Sequence, residues 1–150
     1  MPAAWAGGIR YFDVAPHYGL GLAERRLGES LRQLPRDEYI VSTKVGRLLV
    51  PQDAAGRTDI DNLFDVPADH RRVQDYSRDG VLRSIEQSLE RLGLDRIDIA
   101  LVHDPDAHER EALEGAFPAL SELRDQGVIT SFGAGMNQSC LLYTSPSPRD

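Results

Sequence analysis

The sequence predicts an α/β fold, a partial (β/α)8 barrel of about four consecutive parallel βα units. Three observations carry that expectation. Apolar strand-like runs alternate with helical stripes, and every strand-like run ends in a polar or catalytic type of side chain. The glycine fingerprint of open dinucleotide-binding sheets also fails, because in Gly19-Leu20-Gly21 the third glycine position is taken by Glu24. Eight strands need about 250 residues, so 150 residues cover the middle of such a barrel.

The elements follow in order. Pro2 to Ala6, closed by Gly7-Gly8, reads as the last turn of a helix. Arg10 to Ala15 is aromatic and β-branched and is stopped by Pro16, so it predicts a first strand with Asp13 and Tyr18 at its carboxyl end. After the Gly19 and Gly21 turn, Ala23, Leu27, Leu31 and Leu34 make a helical stripe, with Glu24, Arg25, Arg26 and Glu29 on other faces. A second strand, Tyr39 to Lys44, ends in a charge before Gly46.

From Arg47 to Tyr76 the periodicity fails, and Pro51, Gly56 and Pro67 mix with Asp53, Asp59, Asp61, Asp65 and Asp69. A connection of this length predicts a partly ordered loop over the strand ends, with a flexible surface insertion as the plainer reading. Ser77 caps the next helix, Val81, Ile85, Leu89 and Leu92 form its apolar stripe, and Gly93 stops it. Ile97 to His103 is a nearly continuous apolar strand suited to burial on both faces. Leu113, Phe117, Leu120 and Leu123 predict a further helix with Pro118 in or near its first turn. A fourth strand, Val128 to Ala134, leads to Gly135-Met136-Asn137.

The barrel domain is therefore expected over residues 1–138. Residues 139–150 carry no helical stripe and two prolines, and they resemble translated sequencing-adaptor read-through, with a disordered native tail as the alternative. A net charge of −7 and a pI near 5.0 argue against nucleic-acid and membrane-surface partners. The lone Cys140 forms no internal disulfide, and neither a signal peptide nor a membrane span is visible, so a cytoplasmic protein is expected.

The strand-end residues Asp13, Tyr18, Lys44 and His103 suggest one chemistry. A tyrosine moves protons poorly at neutral pH unless a cation stabilises its phenolate, and Lys44 could supply that charge. Asp13 would hold the ammonium, and His103 would bond the reacting oxygen. The group suits reversible hydride chemistry at a carbonyl with a nicotinamide carrier. His17 competes with Tyr18 for the proton-transfer role. His103, Asp104, Asp106 and His108 admit a metal reading, against which Asp104 and Asp106 read as charges at a helix N-terminus. His70 reads as part of a solvated loop face.

At Phe12-Asp13-Val14-Ala15-Pro16-His17-Tyr18-Gly19, Ser42-Thr43-Lys44 and Leu101-Val102-His103 the chain resembles the aldo-keto reductase superfamily. That resemblance implies a (β/α)8 barrel that uses NADP or NAD. It also implies that Tyr18 is the proton-transfer residue of a tetrad with Asp13, Lys44 and His103. The family's strand before the nicotinamide ends in Ser-Asn; here Met136-Asn137 carries over only Asn137, as the ligand of the carboxamide. Asp75-Tyr76-Ser77, Arg83-Ser84, Arg91-Leu92-Gly93 and His103-Asp104-Pro105-Asp106 look like the branch of galactose, fucose and D-threo-aldose dehydrogenases. The substrate implied is an aldose oxidised to its lactone. The family's first strand, its last three strands and the loops that grip the adenosine phosphate have no counterpart here, so the 150-residue chain alone is expected to be inactive. A non-catalytic nicotinamide-binding regulatory subunit on the same barrel is the second reading.

Overall fold

The structure, a computed structural model, describes residues 2–137. The reading of the 139–150 tail lies outside the described residues. A short helix α1 (Pro2–Ala6) precedes strand β1 (Tyr11–Asp13), helix α2 (Leu22–Leu31) and strand β2 (Ile40–Val45). An antiparallel hairpin, β3 (Arg47–Pro51) and β4 (His70–Gln74), leads into α3 (Arg78–Leu92) and β5 (Ile99–His103). Then come α4 (Glu109–Glu111), α5 (Phe117–Asp125) and β6 (Ser131–Gly135).

The main sheet has the order β1-β2-β5-β6 and every pair is parallel, as helical crossovers require. Its register sets Asp13 beside Ser42, Thr43 beside Ala100 and His103 beside Gly135. Alternation then divides the side chains between two faces. Phe12, Val14, Val41, Val45, Ala100 and Val102 are buried in the core with Leu31, Val81, Ile85, Leu92 and Leu120 of the helices. Tyr11, Asp13, Ser42 and Lys44 fall on the other face, where Tyr11 Oη donates to Ser42 Oγ at 3.0 Å and Ser42 Oγ donates to Asp13 Oδ1.

The two helix ends predicted for α3 are present. Ser77 Oγ accepts from the Gly80 backbone N–H at 3.1 Å, and Gly93 closes the helix at φ 60°, a left-handed position that favours glycine. Gly28 has a different reason to lack a side chain. A Cβ there would lie 1.9 Å from the Leu92 carbonyl oxygen, so glycine lets α2 and α3 pack backbone to backbone.

Two expectations need correction. The stretch from Arg47 to Tyr76 is more than a loop: its ends pair as an antiparallel hairpin over Arg47↔Gln74 to Pro51↔His70, and Thr58 bridges Pro67 in the excursion between them. Leu48-Leu49-Val50 and His70-Arg71-Arg72-Val73 show no clean alternation because one strand is buried and the other largely polar, which hid the pairing. Glu24, expected on a face away from the apolar stripe, is fully buried. Its Oε1 accepts from Thr43 Oγ1 at 2.7 Å and its Oε2 from Arg91 Nε at 2.6 Å, tying α2 to β2 and α3.

The helix around Pro118 is also more complex. Between α4 and α5 the backbone runs through a π-helical turn, Ala112–Ala116, in which the Phe117 N–H reaches the Ala112 carbonyl. Pro118 is the second residue of α5, in its first turn as expected, and the wider turn before it accommodates the missing proline N–H. The same turn sets Gly115 against the Tyr76 backbone, where a Cβ would meet the carbonyl oxygen at 2.4 Å. Asp104 and Asp106 do stand at a helix N-terminus, at the N-cap and in the first turn of the short 3-10 helix Pro105–Ala107; the Asp104 side chain makes no cap bond, and from a left-handed backbone, φ 42°, it binds Arg47.

Candidate active site

Parallel strands deliver their carboxyl ends to one edge of the sheet, and Asp13, Lys44 and His103 lie at those ends. Lys44 Nζ donates to Asp13 Oδ2 at 2.7 Å and to the Val14 carbonyl at 3.1 Å. The same ammonium lies 5.0 Å from the centroid of the Tyr18 ring. Lys44 is itself buried, so little water competes for its charge. Tyr18 follows β1 in the turn before α2, and its ring centroid is 6.0 Å from that of His103, edge to face.

His103 is 4% exposed. Burial, then the charges of Arg47 and Lys44, push its pKa down to about 3, so the imidazole is neutral at neutral pH. Its Nδ1 is buried without a partner among the described residues, and Nε2 lies 3.6 Å from Asp104 Oδ2. An unpaired lone pair costs less than an unpaired N–H, so we assign the proton to Nε2, leaving a donor for a reacting oxygen.

Asn137 sits at the end of β6, where its Nδ2 donates to Asp104 Oδ1 at 2.8 Å. Arg47 Nη2 donates to the other carboxylate oxygen at 2.6 Å. Asp104 thus links the hairpin to the strand that ends in Asn137. The amide oxygen of Asn137 can accept an N–H, which is what the carboxamide of a nicotinamide would offer.

The hairpin excursion supplies residues that sequence reasoning did not assign. Phe64 packs edge-on to His17 at 5.5 Å and lies 6.4 Å from the Tyr18 ring. Arg72 grips the buried carboxylate of Asp59 at 2.5 and 2.8 Å and also donates to the His17 carbonyl at 3.0 Å. That grip holds the Asp59 carboxyl below the usual carboxylate range, with burial opposing it. Tyr76 donates to the His103 carbonyl at 3.2 Å, and it packs where a Cβ on Gly46 would stand 2.5 Å from its ring. The sequence offered one signal: Arg47, Arg57, Arg71 and Arg72 lie in a stretch rich in aspartates, and cations drawn into structure there need carboxylates nearby.

Other sequence candidates fall elsewhere. His70 opens β4 and pairs with Asp69 at 2.7 Å, away from the tetrad. His108 stacks on Tyr76 at 5.3 Å, and among the described residues no group of three or more His, Cys, Asp or Glu could hold a metal ion. Asp75, Arg83 and Arg91 brace α3: Asp75 bonds Ser77 and Arg83, both at 2.6 Å, and Arg91 pairs with Glu24. No helix among the described residues is long and apolar enough to cross a membrane.

A parallel sheet with helices between its strands and polar groups gathered at the strand ends matches part of a (β/α)8 barrel. The chain belongs to the aldo/keto reductase family, whose model matches residues 1–139. It is 53% identical over 138 residues to the D-threo-aldose 1-dehydrogenase of a Pseudomonas species, covering 90% of this chain and 42% of that protein. The pyridoxal 4-dehydrogenase of Microbacterium luteolum is 44% identical over 156 residues, with 92% and 45% covered. Among solved structures, the glycerol dehydrogenase of Gluconobacter oxydans matches with a TM-score of 0.72 at 25% identity, over 95% of this chain and 38% of that one. The chain therefore spans less than half the length of these relatives.

Proposed function

We propose that the complete protein is an NADP- or NAD-dependent oxidoreductase that oxidises an aldose at its anomeric carbon to the lactone. The carrying observation is the convergence of Lys44 on both Asp13, at 2.7 Å, and the Tyr18 ring, at 5.0 Å, opposite a neutral His103. Tyr18 is the proton-transfer residue. Lys44 stabilises its phenolate, Asp13 fixes Lys44, and the His103 Nε2–H bonds the anomeric oxygen. As the anomeric C–H bond breaks, the O–H proton passes to Tyr18 and the carbon–oxygen double bond forms. A bound nicotinamide would accept the hydride, and Asn137 would orient its carboxamide. The aldose reading is supported by the Pseudomonas relative named as an aldose dehydrogenase.

The test is dinucleotide reduction by the complete protein with a panel of free aldoses and pyridoxal. Aldose-dependent reduction, abolished by Tyr18→Phe with dinucleotide binding retained, is the expected result. Dinucleotide binding without turnover on any aldose or carbonyl compound would instead make the protein a binding subunit.

A further inference from the structure

His17 is a second imidazole in the site, and the tetrad chemistry does not use it. Its ring centroid is 6.1 Å from Tyr18 and 5.5 Å from His103, and those two rings are 6.0 Å apart. The three rings form a nearly equilateral triangle. An oxygen held between Tyr18 and His103 lies over one edge, and the third corner is then within reach of a substituent on the neighbouring carbon of the same molecule.

Two contacts hold His17 there, and a third braces one of them. Phe64 packs edge-on against it, Arg72 donates to its carbonyl at 3.0 Å, and Asp59 fixes Arg72. Its Nδ1 is buried without a partner among the described residues, so Nε2 is the nitrogen left to meet a ligand. As in His103, the cheaper tautomer leaves the lone pair on the buried nitrogen and the proton on Nε2. Burial and the charges of Arg72 and Arg47 lower its pKa to about 4, which keeps the ring neutral at neutral pH.

We propose that His17 is a specificity-determining residue whose Nε2–H donates a hydrogen bond to the hydroxyl on the carbon next to the reacting one. The inference rests on the aldose reading and deepens it: the site selects sugars bearing a hydroxyl at that second carbon. A site with a donor committed to a hydroxyl discriminates against the analogue that lacks it, because the donor is then left unpaired.

The experiment compares an aldose with its 2-deoxy analogue in the complete protein and in His17→Leu and His17→Gln, with dinucleotide binding as the control for folding. Wild type should prefer the aldose in kcat/KM. In His17→Leu the loss on the aldose should exceed the loss on the 2-deoxy sugar by about tenfold or more, mainly through KM, and His17→Gln should restore part of the preference. Equal losses on both sugars overturn the inference alone and return His17 to a packing or proton-transfer role. Wild-type turnover of a simple aldehyde but of no aldose overturns the aldose reading, and the inference falls with it.

Discussion

The ammonium of Lys44 and the carboxylate of Asp13 meet at 2.7 Å although they stand 31 positions apart, because β1 and β2 pair with Asp13 beside Ser42 and bring both side chains to one face. Replacing Lys44 by Met removes the cation next to Tyr18 while keeping the length of the side chain. The expected outcome is a fall of about 10²–10⁴ in kcat with dinucleotide affinity little changed, read by steady-state kinetics and fluorescence titration. Asp13→Asn should fall in the same direction and by less, since Lys44 keeps its bond to the Val14 carbonyl.

Glu24 and Arg91 form the most buried ion pair on the outer side of the sheet, with side chains 0% and 13% exposed. Removing one partner strands the other charge, so Glu24→Leu should cost about 3–5 kcal/mol in denaturant unfolding. Glu24→Leu with Arg91→Met should recover much of that loss. Recovery would identify the stranded charge, rather than lost packing, as the source of the cost.

What was legible in the sequence was the periodic part. β1, β2, β5 and β6 and the stripes of α2 and α3 each bury a regular set of positions, and Ser77 and Gly93 mark ends that backbone geometry enforces. Asp13, Tyr18, Lys44 and His103 were visible as candidates because each closes or follows a strand. Glu24 was not legible as a buried residue, since its partners Thr43 and Arg91 are 19 and 67 positions away. The hairpin, Phe64 and the Asp59–Arg72 pair depend on contacts across the Arg47 to Tyr76 stretch that no local pattern announces.

Acid should destabilise the protein before it protonates the native site. Unfolded histidine takes its proton near pH 6.5, whereas native His17 and His103 resist until about 4 and about 3. Between those limits the unfolded chain binds more protons, so stability falls as pH falls. Asp59 acts in the same direction at lower pH, since its native carboxyl is lowered by Arg72. Thermal midpoints should decline below about pH 6.5, and His17→Leu should flatten part of that decline.

Asp104 holds Asn137 at 2.8 Å and Arg47 at 2.6 Å from a left-handed backbone. Asp104→Ala removes both bonds and keeps an unfavourable φ, while Asp104→Asn keeps the shape. If Asn137 orients the carboxamide, Asp104→Ala should weaken dinucleotide binding several-fold and Asp104→Asn should weaken it less, as measured by fluorescence titration. Arg47→Met should leave Asn137 in place and affect dinucleotide affinity least of the three.

Arg72 joins three parts of the structure: β4, the buried Asp59 of the excursion, and the carbonyl of His17 beside Tyr18. Its guanidinium makes a two-pronged contact with Asp59, a geometry lysine cannot copy. Arg72→Lys should therefore release the Phe64 segment from the site even though the charge survives. Substrate KM should rise by roughly tenfold, an effect of about 1.4 kcal/mol, while kcat falls less, because Lys44 keeps its bonds to Asp13 and to the Val14 carbonyl. Hydrogen exchange of the backbone amides between Thr58 and Val66 should speed up in the same variant. Faster exchange with unchanged KM would mean that the excursion closes over the site without contributing to substrate binding.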